Sequence, residues 1–467
     1  MSRLCALPFG IVALYAAGCQ SYAPAPLELE THRSAFHARS VDGEPLAAFA
    51  ERLRDTEIAT PAVFDPSDGL TAAEGEVLAL FYNADLRMLR AQAGVADAAF
   101  ENAGLWEDPV FGFDGAEILS SGGTFDYGLI ANITIPISGR LDIEKDRASA
   151  AVDVERRRIV DAEWTLRTAV RRTWLAWSIA SERLALAEEI LAHVEDISAL
   201  TTRLEDAGEL SRVQGRLLQI EAESRRSLHL QAVLDERRAR LAVLHMLGLP
   251  PEVNLELVPG QPATVDAGSD DALARLIRCN TRLDVHRANY QVAEDTLRLE
   301  IRKQFPDLTI GTGYGSEGHD DRLLLGFSIP IPILNANQAA IADARAQRDV
   351  ARITAETAYE QLVHDLANAR ATVDAVREQR AAFETTMIPM LDEQDREITR
   401  IAELGEIDTF LLLETVTRQY DARSRLLDLQ QAETDADLII TQLLGPDTTR
   451  EPADIAPTTS ASTEGAS

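Results

Sequence analysis

The sequence predicts a mainly helical protein with a small β part, in which one helix–hairpin–long helix–helix unit occurs twice. Three observations carry this prediction. Landmark residues recur at a fixed interval, two very long stretches lack the residues that interrupt helices, and each half contains short runs in which apolar residues alternate. Together they favour a duplicated chain over the three unrelated domains that a length of 467 residues would suggest.

The duplication is visible in four pairs of landmarks, each pair 197 residues apart. The pairs are Asn83-Ala84-Asp85-Leu86 with Asn280-Thr281-Arg282-Leu283, Pro109 with Pro306, Gly208 with Gly405, and Gly248 with Gly445. Self-similarity at a fixed interval is typical of a repeated structural unit. We therefore predict a first repeat over residues 70–267 and a second over 268–446, with an N-terminal segment at 19–69 before them and a disordered tail at 447–467 after them.

Each repeat is predicted to be built around one very long helix. No Gly or Pro occurs from Arg140 to Ala207, which at 1.5 Å per residue gives about 100 Å of helix. The counterpart from Asn335 to Leu404 is interrupted only by Pro389, where we expect a kink or a local break. After the turns at Gly208 and Gly405, return helices are expected to end at Leu247 and Leu444. An amphipathic helical segment opens each repeat, at residues 71–104 and 270–302.

The β part consists of one hairpin per repeat. Apolar residues alternate along residues 125–137 and 322–333, and partner strands are predicted at 109–119 and 307–315. The alternating runs are long enough for tilted membrane strands of about 9–11 residues. A half-buried sheet of a soluble protein explains the alternation equally well. In lipid, four strands with open edges are not viable, so a membrane sheet would need several chains, and three would supply twelve strands.

Composition excludes several classes of function. The chain carries 76 acidic and 45 basic residues, a net charge of −31, which argues against nucleic-acid binding because phosphate contacts need clustered Lys and Arg. The sequence contains no phosphate-binding Gly loop, no Cys or His cluster and no nucleophile motif. We therefore predict that the protein is not an enzyme and has no cofactor and no metal site.

The N-terminus has the pattern of an export signal. Residues 1–18 place one basic residue, Arg3, before an apolar run, as a secretory signal peptide does. The following Ala16-Ala17-Gly18-Cys19 resembles a bacterial lipoprotein cleavage box, although Ala16 stands where Leu is usual. An ordinary signal peptide with an incidental cysteine is the alternative. In the lipoprotein interpretation Cys19 becomes the first mature residue and carries the lipids that anchor the chain.

The order of elements resembles the TolC-type outer-membrane efflux family, and within it the lipid-anchored CzcC-like branch of heavy-metal and drug efflux. The most specific segment is Leu325–Gln338, LGFSIPIPILNANQ, which is similar to a strand-to-helix junction of that branch. The segments 203–211, RLEDAGELS, and 400–408, RIAELGEID, resemble the two periplasmic tip turns of the family. The first of them lacks the Tyr that is often found there.

The resemblance implies a homotrimeric duct lodged in the outer membrane of a Gram-negative bacterium and extending into the periplasm. A 12-stranded β-barrel, with four strands per chain, would continue into an α-helical periplasmic tunnel. Its tip would meet a periplasmic adaptor (membrane fusion) protein and, through it, an inner-membrane pump of the RND type, and the duct would passively conduct metal cations or small drugs. A duct for type I protein secretion and, from another class, a periplasmic coiled-coil adaptor or structural protein remain alternatives.

The predicted site residues lie at the tip. Gly208 and Gly405 are expected to permit the chain reversals, and Leu210 and Ile407 to contact the adaptor. A trimer would gather tip carboxylates into rings that favour cations. Resemblance to the family places Asp206 and Glu414 near the entrance constriction, although a solvated acidic helix end explains any one carboxylate as well. The carboxylates of the two tip segments are Glu205, Asp206, Glu209, Glu403, Glu406 and Asp408.

Overall fold

The computed structural model describes residues 22–55, 64–117, 119, 125–208, 210–264, 271–317, 320–403 and 409–446. The chain separates into one compact unit up to Ser40 and a second from Val41 onward. In the first unit, helix α1 spans Leu29–His37 and buries none of its side chains. The second unit contains both repeats, and the division falls inside the predicted N-terminal segment 19–69.

The second unit is mostly helical and contains one small sheet, as predicted. The elements up to the end of the first repeat are α2 (Glu44–Asp55), α3 (Ala72–Tyr82), α4 (Ala84–Glu101), β1 (Val110–Glu117), β2 (Phe125–Ile135), α5 (Arg140–Asp206) and α6 (Arg212–Leu247). Those of the second repeat are α7 (Ala272–Cys279), α8 (Thr281–Arg302), β3 (Leu308–Glu317), β4 (Asp320–Ser328), α9 (Gln338–Ala382), a π-helical turn (Phe383–Met387), α10 (Ile388–Glu403) and α11 (Thr409–Leu444). None of the helices in the described ranges has a stretch that is long and apolar enough to cross a membrane.

The long helices confirm the prediction from the missing Gly and Pro residues. Helix α5 runs for 67 residues without interruption. Its counterpart is broken as expected. The π-helical turn ends at Met387, two residues before Pro389, and separates α9 from α10. The N–H of Ile388 donates to the carbonyl of Phe383, so the turn is one residue wider than an α-helical turn. The break therefore lies where Pro389 has no N–H to donate, and where its ring would clash with the carbonyl four residues earlier in a regular α-helix.

Each predicted amphipathic helical segment contains a joint that the sequence prediction did not include. Each segment is two helices, α3 and α4 or α7 and α8, and an asparagine joins them. The side-chain oxygen of Asn83 accepts from the N–H groups of Asp85 and Leu86 at 3.0 and 3.1 Å and thereby caps α4. Its Nδ2 donates to the carbonyl of Met246, near the end of α6, at 3.2 Å. One side chain therefore serves the ends of two different helices.

The second repeat contains the same joint. The Asn280 oxygen accepts from the N–H of Leu283 at 2.9 Å, and its Nδ2 donates to the carbonyl of Leu443 at 2.8 Å. In both joints the accepting carbonyl lies 163 residues after the asparagine. The Asn landmark of the duplication is thus a helix-end connector.

The glycines that follow the return helices belong to the same joints. Gly248 and Gly445 have φ angles of +71° and +73°, which end α6 and α11 in the left-handed conformation. A Cβ on Gly248 would lie 2.6 Å from the carbonyl oxygen of Tyr82, and one on Gly445 would collide with the carbonyl of Cys279. Both conformation and space therefore require glycine at these two positions.

The sheet is antiparallel in the order β1-β2-β3-β4, so the two hairpins meet at the β2–β3 pair. The predicted bounds of β1 and β2 are nearly right, and β3 extends two residues beyond its prediction to Glu317. The prediction of 322–333 for β4 is wrong at its end, because the strand stops at Ser328. Pro330 and Pro332 cannot donate to a neighbouring strand, although the apolar alternation continues through them.

The apolar core is divided between the repeats. The first-repeat core includes Trp174 and Leu247 and extends to Leu46, Phe49 and Leu53 of α2. The second-repeat core joins α7, α9 and α11, and a third cluster joins α5, α6 and α11. The part of the N-terminal segment from α2 onward is therefore packed into the first repeat.

An ion triad is also buried in the first-repeat half. The carboxylate of Glu76 lies 2.6 Å from Arg167 Nε and 2.5 Å from Arg171 Nε. All three side chains are almost fully buried, and the single carboxylate binds both guanidinium groups away from water, which leaves the triad with a net charge of +1.

We predict that Asn280→Ala lowers the free energy of unfolding by about 1–3 kcal/mol, because a buried carbonyl and a helix N-terminus lose their partner. Asn280→Asp should be at least as damaging near pH 7, since a carboxylate can cap α8 but cannot donate to Leu443. Denaturant titration in detergent, followed by helical circular dichroism, measures both changes. Asn289→Ala is the control, because the Asn289 amide bonds only the carbonyl of Val285 within its own helix. An Asn280→Ala effect no larger than that of the control contradicts the role of the joint.

Candidate functional site

The first tip turn connects α5 to α6 through Gly208. This residue has a φ angle of +79°, and its N–H donates to the carbonyl of Glu205 at 3.0 Å. No atom would obstruct a Cβ there, so the left-handed backbone is the reason for glycine. Ser211 then caps α6, with its hydroxyl accepting from the N–H of Gln214. The chain reverses direction at this turn, and the half-buried Leu210 lies inside it.

The predicted carboxylates of this turn have different surroundings. Glu205 is partly buried and reaches across the turn, where its Oε2 would lie 2.5 Å from a Cβ on Gly215 of α6. Its other oxygen lies 3.8 Å from Arg212 Nε. Asp206 is exposed. Of the two, Asp206 is therefore the one open to solvent and passing ions.

Glu414 lies on α11 and forms a local ion pair. Its Oε1 is 2.6 Å from Nε of Arg418, one helical turn further along, and both side chains are largely exposed. No hydrogen bond or ion pair within the described ranges joins Glu414 to Glu205 or Asp206. Within one chain the three carboxylates are therefore separate groups.

The remaining predicted site residues cannot be placed. Glu403 is the last residue of α10, but its side chain lies outside the described part of the structure. Cys19, Gly405, Glu406, Ile407, Asp408 and Glu209 lie outside the described residues altogether.

One face of the sheet is apolar and exposed to solvent in the single chain. Residues directly opposite each other on paired strands share a face, so the register defines it. This apolar face carries the exposed side chains of Phe111, Phe113, Phe125, Leu129, Ile133, Ile310, Tyr314, Leu323, Leu325 and Phe327. The predicted alternation is confirmed within the strands. A patch of this size has to be covered by another apolar phase or surface.

The opposite face consists mostly of glycine and polar residues, although Val110, Ile130 and Leu324 also lie on it. Six of its positions are glycine: Gly112, Gly128, Gly311, Gly313, Gly315 and Gly326. Thr134 and Thr309 face each other near the helical end, with their hydroxyl oxygens 3.3 Å apart. Asp126, Glu317 and Asp320 lie in one row at the loop end. We call this surface the glycine face.

The sheet curls towards its glycine face at the β2–β3 pair. A Cβ on Gly315 would lie 2.5 Å from the carbonyl oxygen of Tyr127, and one on Gly313 would lie 3.0 Å from that of Leu129. Gly326, on β4, has nothing within 4 Å. The backbone of β2 therefore bends over the glycines of β3, which are buried although they lie on a sheet surface. The alternating glycines of Gly311–Gly315 are the sequence signal for this curl, and the sequence prediction missed it.

Both outer edges of the sheet are open. Strand β1 pairs only with β2, and β4 only with β3, among the described residues. The open edges expose unpaired backbone N–H and C=O groups, which water or another chain must satisfy. A curled four-stranded sheet with one apolar face is thus an arc that a single chain leaves incomplete.

Comparison with known proteins identifies relatives of this architecture. Residues 273–446 match the family model described as outer membrane efflux protein. A curated relative is the cobalt-zinc-cadmium resistance protein CzcC of Cupriavidus metallidurans, which is 21% identical over 322 residues, covering 67% of this chain and 76% of CzcC.

Solved structures share the fold over most of the chain. The outer-membrane channel OprN superposes with a TM-score of 0.70 at 18% identity, covering 84% of this chain and 96% of OprN. CusC, studied for conformational changes that accompany folding and transmembrane channel formation, gives a TM-score of 0.69 at 17% identity, covering 83% of this chain and 95% of CusC. The family match lies in the second repeat, and the shared fold extends to the first. Residues 273–446 therefore match the outer membrane efflux protein family, and most of the chain shares the fold of these outer-membrane channels.

Proposed function

We propose that three copies of this chain form an outer-membrane channel that passively conducts substrate from the periplasm to the exterior. The observation that carries the proposal is the curled sheet with its apolar face, glycine face and two open edges. Lipid would cover the apolar face, and the glycine face would line a wide aqueous passage. Open edges are not viable in lipid, so β4 of one copy must pair with β1 of the next, which gives twelve strands in a trimer.

The helices offer a second pair of complementary edges. Side by side, α6 contacts α5, α5 contacts α11, and α11 contacts α9. The second-repeat arm continues towards the tip as α10, which also contacts α11. Large apolar side chains remain exposed near the tip on the two outer helices: Val213 and Ile220 on α6, and Met390 and Ile401 on α10. Closing three copies in a ring would bring α6 of one copy against α10 of the next and bury these residues. The same three-fold operation would thus close both sheet and helices.

Metal cations are the proposed substrates, with small drugs as the broader class. The relative CzcC is a cobalt-zinc-cadmium resistance protein, and exposed carboxylates such as Asp206 at the entrance would favour cations. A periplasmic adaptor protein and an inner-membrane pump of the RND type are the proposed partners, and the pump would supply the energy. Type I protein secretion would need the same duct with another pump, whereas a periplasmic adaptor would not need an exposed apolar sheet.

Cys19 is the proposed lipid anchor. Its acyl chains would hold the N-terminus in the outer membrane, at about 0.8 kcal/mol per buried CH₂ group. Labelled palmitate should appear on the wild-type chain and be absent from Cys19→Ala.

The channel itself is tested by membrane fractionation, mass measurement in detergent and currents in planar bilayers. We expect outer-membrane location, a trimeric mass and discrete cation-preferring currents. A monomeric protein that is stable without detergent would refute the proposal and favour the adaptor interpretation. Protection against zinc or cadmium in a strain that also has the pump and adaptor would separate metal efflux from protein secretion.

We predict that Asp206→Ala with Glu414→Ala changes the entrance of the channel. Removing two carboxylates per copy should reduce the cation-over-anion preference by about twofold or more, because the negative potential at the entrance becomes weaker, or raise the conductance, because alanine is smaller and widens the constriction. Single-channel currents under a salt gradient measure both quantities. Asp146→Ala with Glu360→Ala removes the same charge from exposed helix positions away from the tip and is the control. Equal behaviour of the two double variants would exclude Asp206 and Glu414 from the entrance.

We also predict that Gly315→Ala impairs trimer formation. A Cβ at this position meets the backbone of β2, so the curl must flatten or the strands separate, at a cost of about 1–3 kcal/mol per chain. The yield of trimer in detergent and its apparent melting temperature should both fall. Gly326→Ala adds the same methyl group to the same face, where space is open, and should leave both unchanged. Equal trimer yields would show that the curl does not depend on Gly315.

A further inference from the structure

Four short linkers connect the sheet to the helices, and each of them contains proline. They are residues 102–109 before β1, 136–139 after β2, 303–307 before β3 and 329–337 after β4. Proline cannot donate a hydrogen bond to a neighbouring strand, so the ladders of the sheet end in these linkers. Side-chain contacts must therefore hold the linkers in place.

Arg140, the first residue of α5, joins three of the linkers. Its guanidinium group lies 2.8 Å from the carboxylate of Asp307, before β3, and 2.8 Å from that of Glu107, before β1. The hydroxyl of Ser138, after β2, donates to Asp307 at 3.0 Å. The hydrogen bond to Asp307 raises the pKa of Arg140, and both side chains are largely buried. We call these four residues the ionic junction.

The fourth linker, after β4, is anchored near its end. The amide of Asn337 donates to the main-chain carbonyl and to the carboxylate of Glu300 on α8, both at 2.8 Å. Before this anchor the N–H of Ile333 donates to the carbonyl of Ile331, so the backbone makes a tight turn between them. Ile331, Ile333 and Leu334 are 74%, 80% and 95% exposed. This linker therefore presents three large apolar side chains that its own chain does not cover.

A second apolar pair is exposed at the other edge of the sheet. Leu105 and Trp106, in the linker before β1, are 63% and 57% exposed. Strands β1 and β4 run in opposite directions, so antiparallel pairing between copies would carry these two linkers past each other. With Val110 of the next copy opposite Ser328, Leu105 lies opposite Ile333. A shift of two residues either way keeps it beside the exposed side chains of the fourth linker.

The duplication indicates what kind of contact this is. Within one chain the β2–β3 pair joins the first repeat to the second, and a β4–β1 pair between copies would join the second repeat to the next first repeat. The segment 135–137 recurs as 331–333, 196 residues later, and Pro109 recurs as Pro306, 197 residues later. At these offsets the three residues that bond across the β2–β3 side of the ionic junction have apolar counterparts. The pairs are Ser138 with Leu334, Arg140 with Ala336, and Asp307 with Val110.

We propose that the linker after β4 packs against Leu105 and Trp106 of the next copy, so that neighbouring copies meet below the sheet through an apolar contact. The inference rests on the proposed trimer and names the residues that join its copies at this level. Tryptophan buries about 150–250 Å² when it is covered and is enriched among the residues that dominate interface energies. Lipid acyl chains, the other apolar phase at this level, would leave the two linkers unconnected.

Cross-linking of the assembled protein tests the contact. Leu105→Cys with Ile333→Cys, in a Cys279→Ser background, should form linked dimers and trimers with a short bis-maleimide, since each copy reacts with the next. Leu119→Cys with Ile333→Cys combines the same linker with an exposed residue at the loop end of the sheet and is the control. We expect at least about fivefold more linked product from the first pair, because a closed ring repeats the contact three times.

The mass of the protein in detergent, before cross-linking, shows separately whether a trimer forms. A trimer whose copies are not linked beyond the control would overturn the apolar contact and leave the proposed channel standing. Linked copies in a protein that gives no current in bilayers would support the contact and count against the channel. A protein that stays monomeric would overturn both.

Substitution of Trp106 tests its contribution. Trp106→Ala should lower the trimer fraction in detergent at least about threefold, and Trp106→Phe should restore most of it. Phe305→Ala removes an aromatic ring of nearly equal exposure from the junction inside one chain and should change the trimer fraction little. In bilayers of brominated phosphatidylcholine, the emission that distinguishes the wild type from Trp106→Phe should be weakly quenched. Strong quenching with an unchanged Trp106→Ala trimer would show that lipid covers this residue and that the contact is wrong.

Discussion

A side-chain amide holds each repeat together at the point where two helix ends meet. Helix termini leave up to four N–H and four C=O groups without partners, and bringing one terminus against another would bury them unsatisfied. A carboxamide accepts and donates at once, so Asn83 and Asn280 each cap the start of one helix and bond the last turn of another. The C-terminus of one helix, with its partial negative charge, then meets the N-terminus of the other, with its partial positive charge, and this arrangement is favourable. Without these joints, α6 and α11 would end against α4 and α8 with unpaired polar groups in a buried place.

These joints explain which residues the duplication has kept. Gly248 and Gly445 allow the backbone of one helix end to approach the other closely, and no residue with a Cβ fits beside the carbonyls of Tyr82 and Cys279. Arg90 and Arg287, also 197 residues apart, donate to the carbonyls of Leu80 and Ile277, near the ends of α3 and α7. The spacing of the landmarks therefore reflects a set of contacts that recurs in three dimensions.

The sequence predicts the parts of the fold that depend on local chemistry and misses those that depend on distant neighbours. The absence of Gly and Pro was sufficient to predict the long helices, and the alternation of apolar residues was sufficient to predict the two faces of the sheet. The break at Asn83 is hidden because asparagine interrupts a helix only when a second helix end is present to bind it. Pro330 and Pro332 indicated the end of β4, but the prediction followed the apolar alternation, which continues through both prolines. The tip glycine could be predicted, whereas the arginine partners of Glu433 lie on another helix more than 50 residues earlier in the chain.

The two repeats keep the same connections but differ in buried charge and in proline. The Glu76, Arg167 and Arg171 triad of the first repeat has no counterpart, because Leu273, His364 and Asn368 occupy the corresponding positions. Glu433, by contrast, corresponds to Glu236, which accepts from the indole N–H of Trp177 at 2.9 Å. In the first repeat this acidic position accepts a hydrogen bond from a tryptophan of the uninterrupted helix α5. In the second repeat it pairs with two arginines of α9, just before the π-helical turn. A symmetric duplication would give the two arms the same buried contacts. Here the buried ion triad lies in one repeat and the helix break in the other, so the two arms are joined to their neighbours by different interactions.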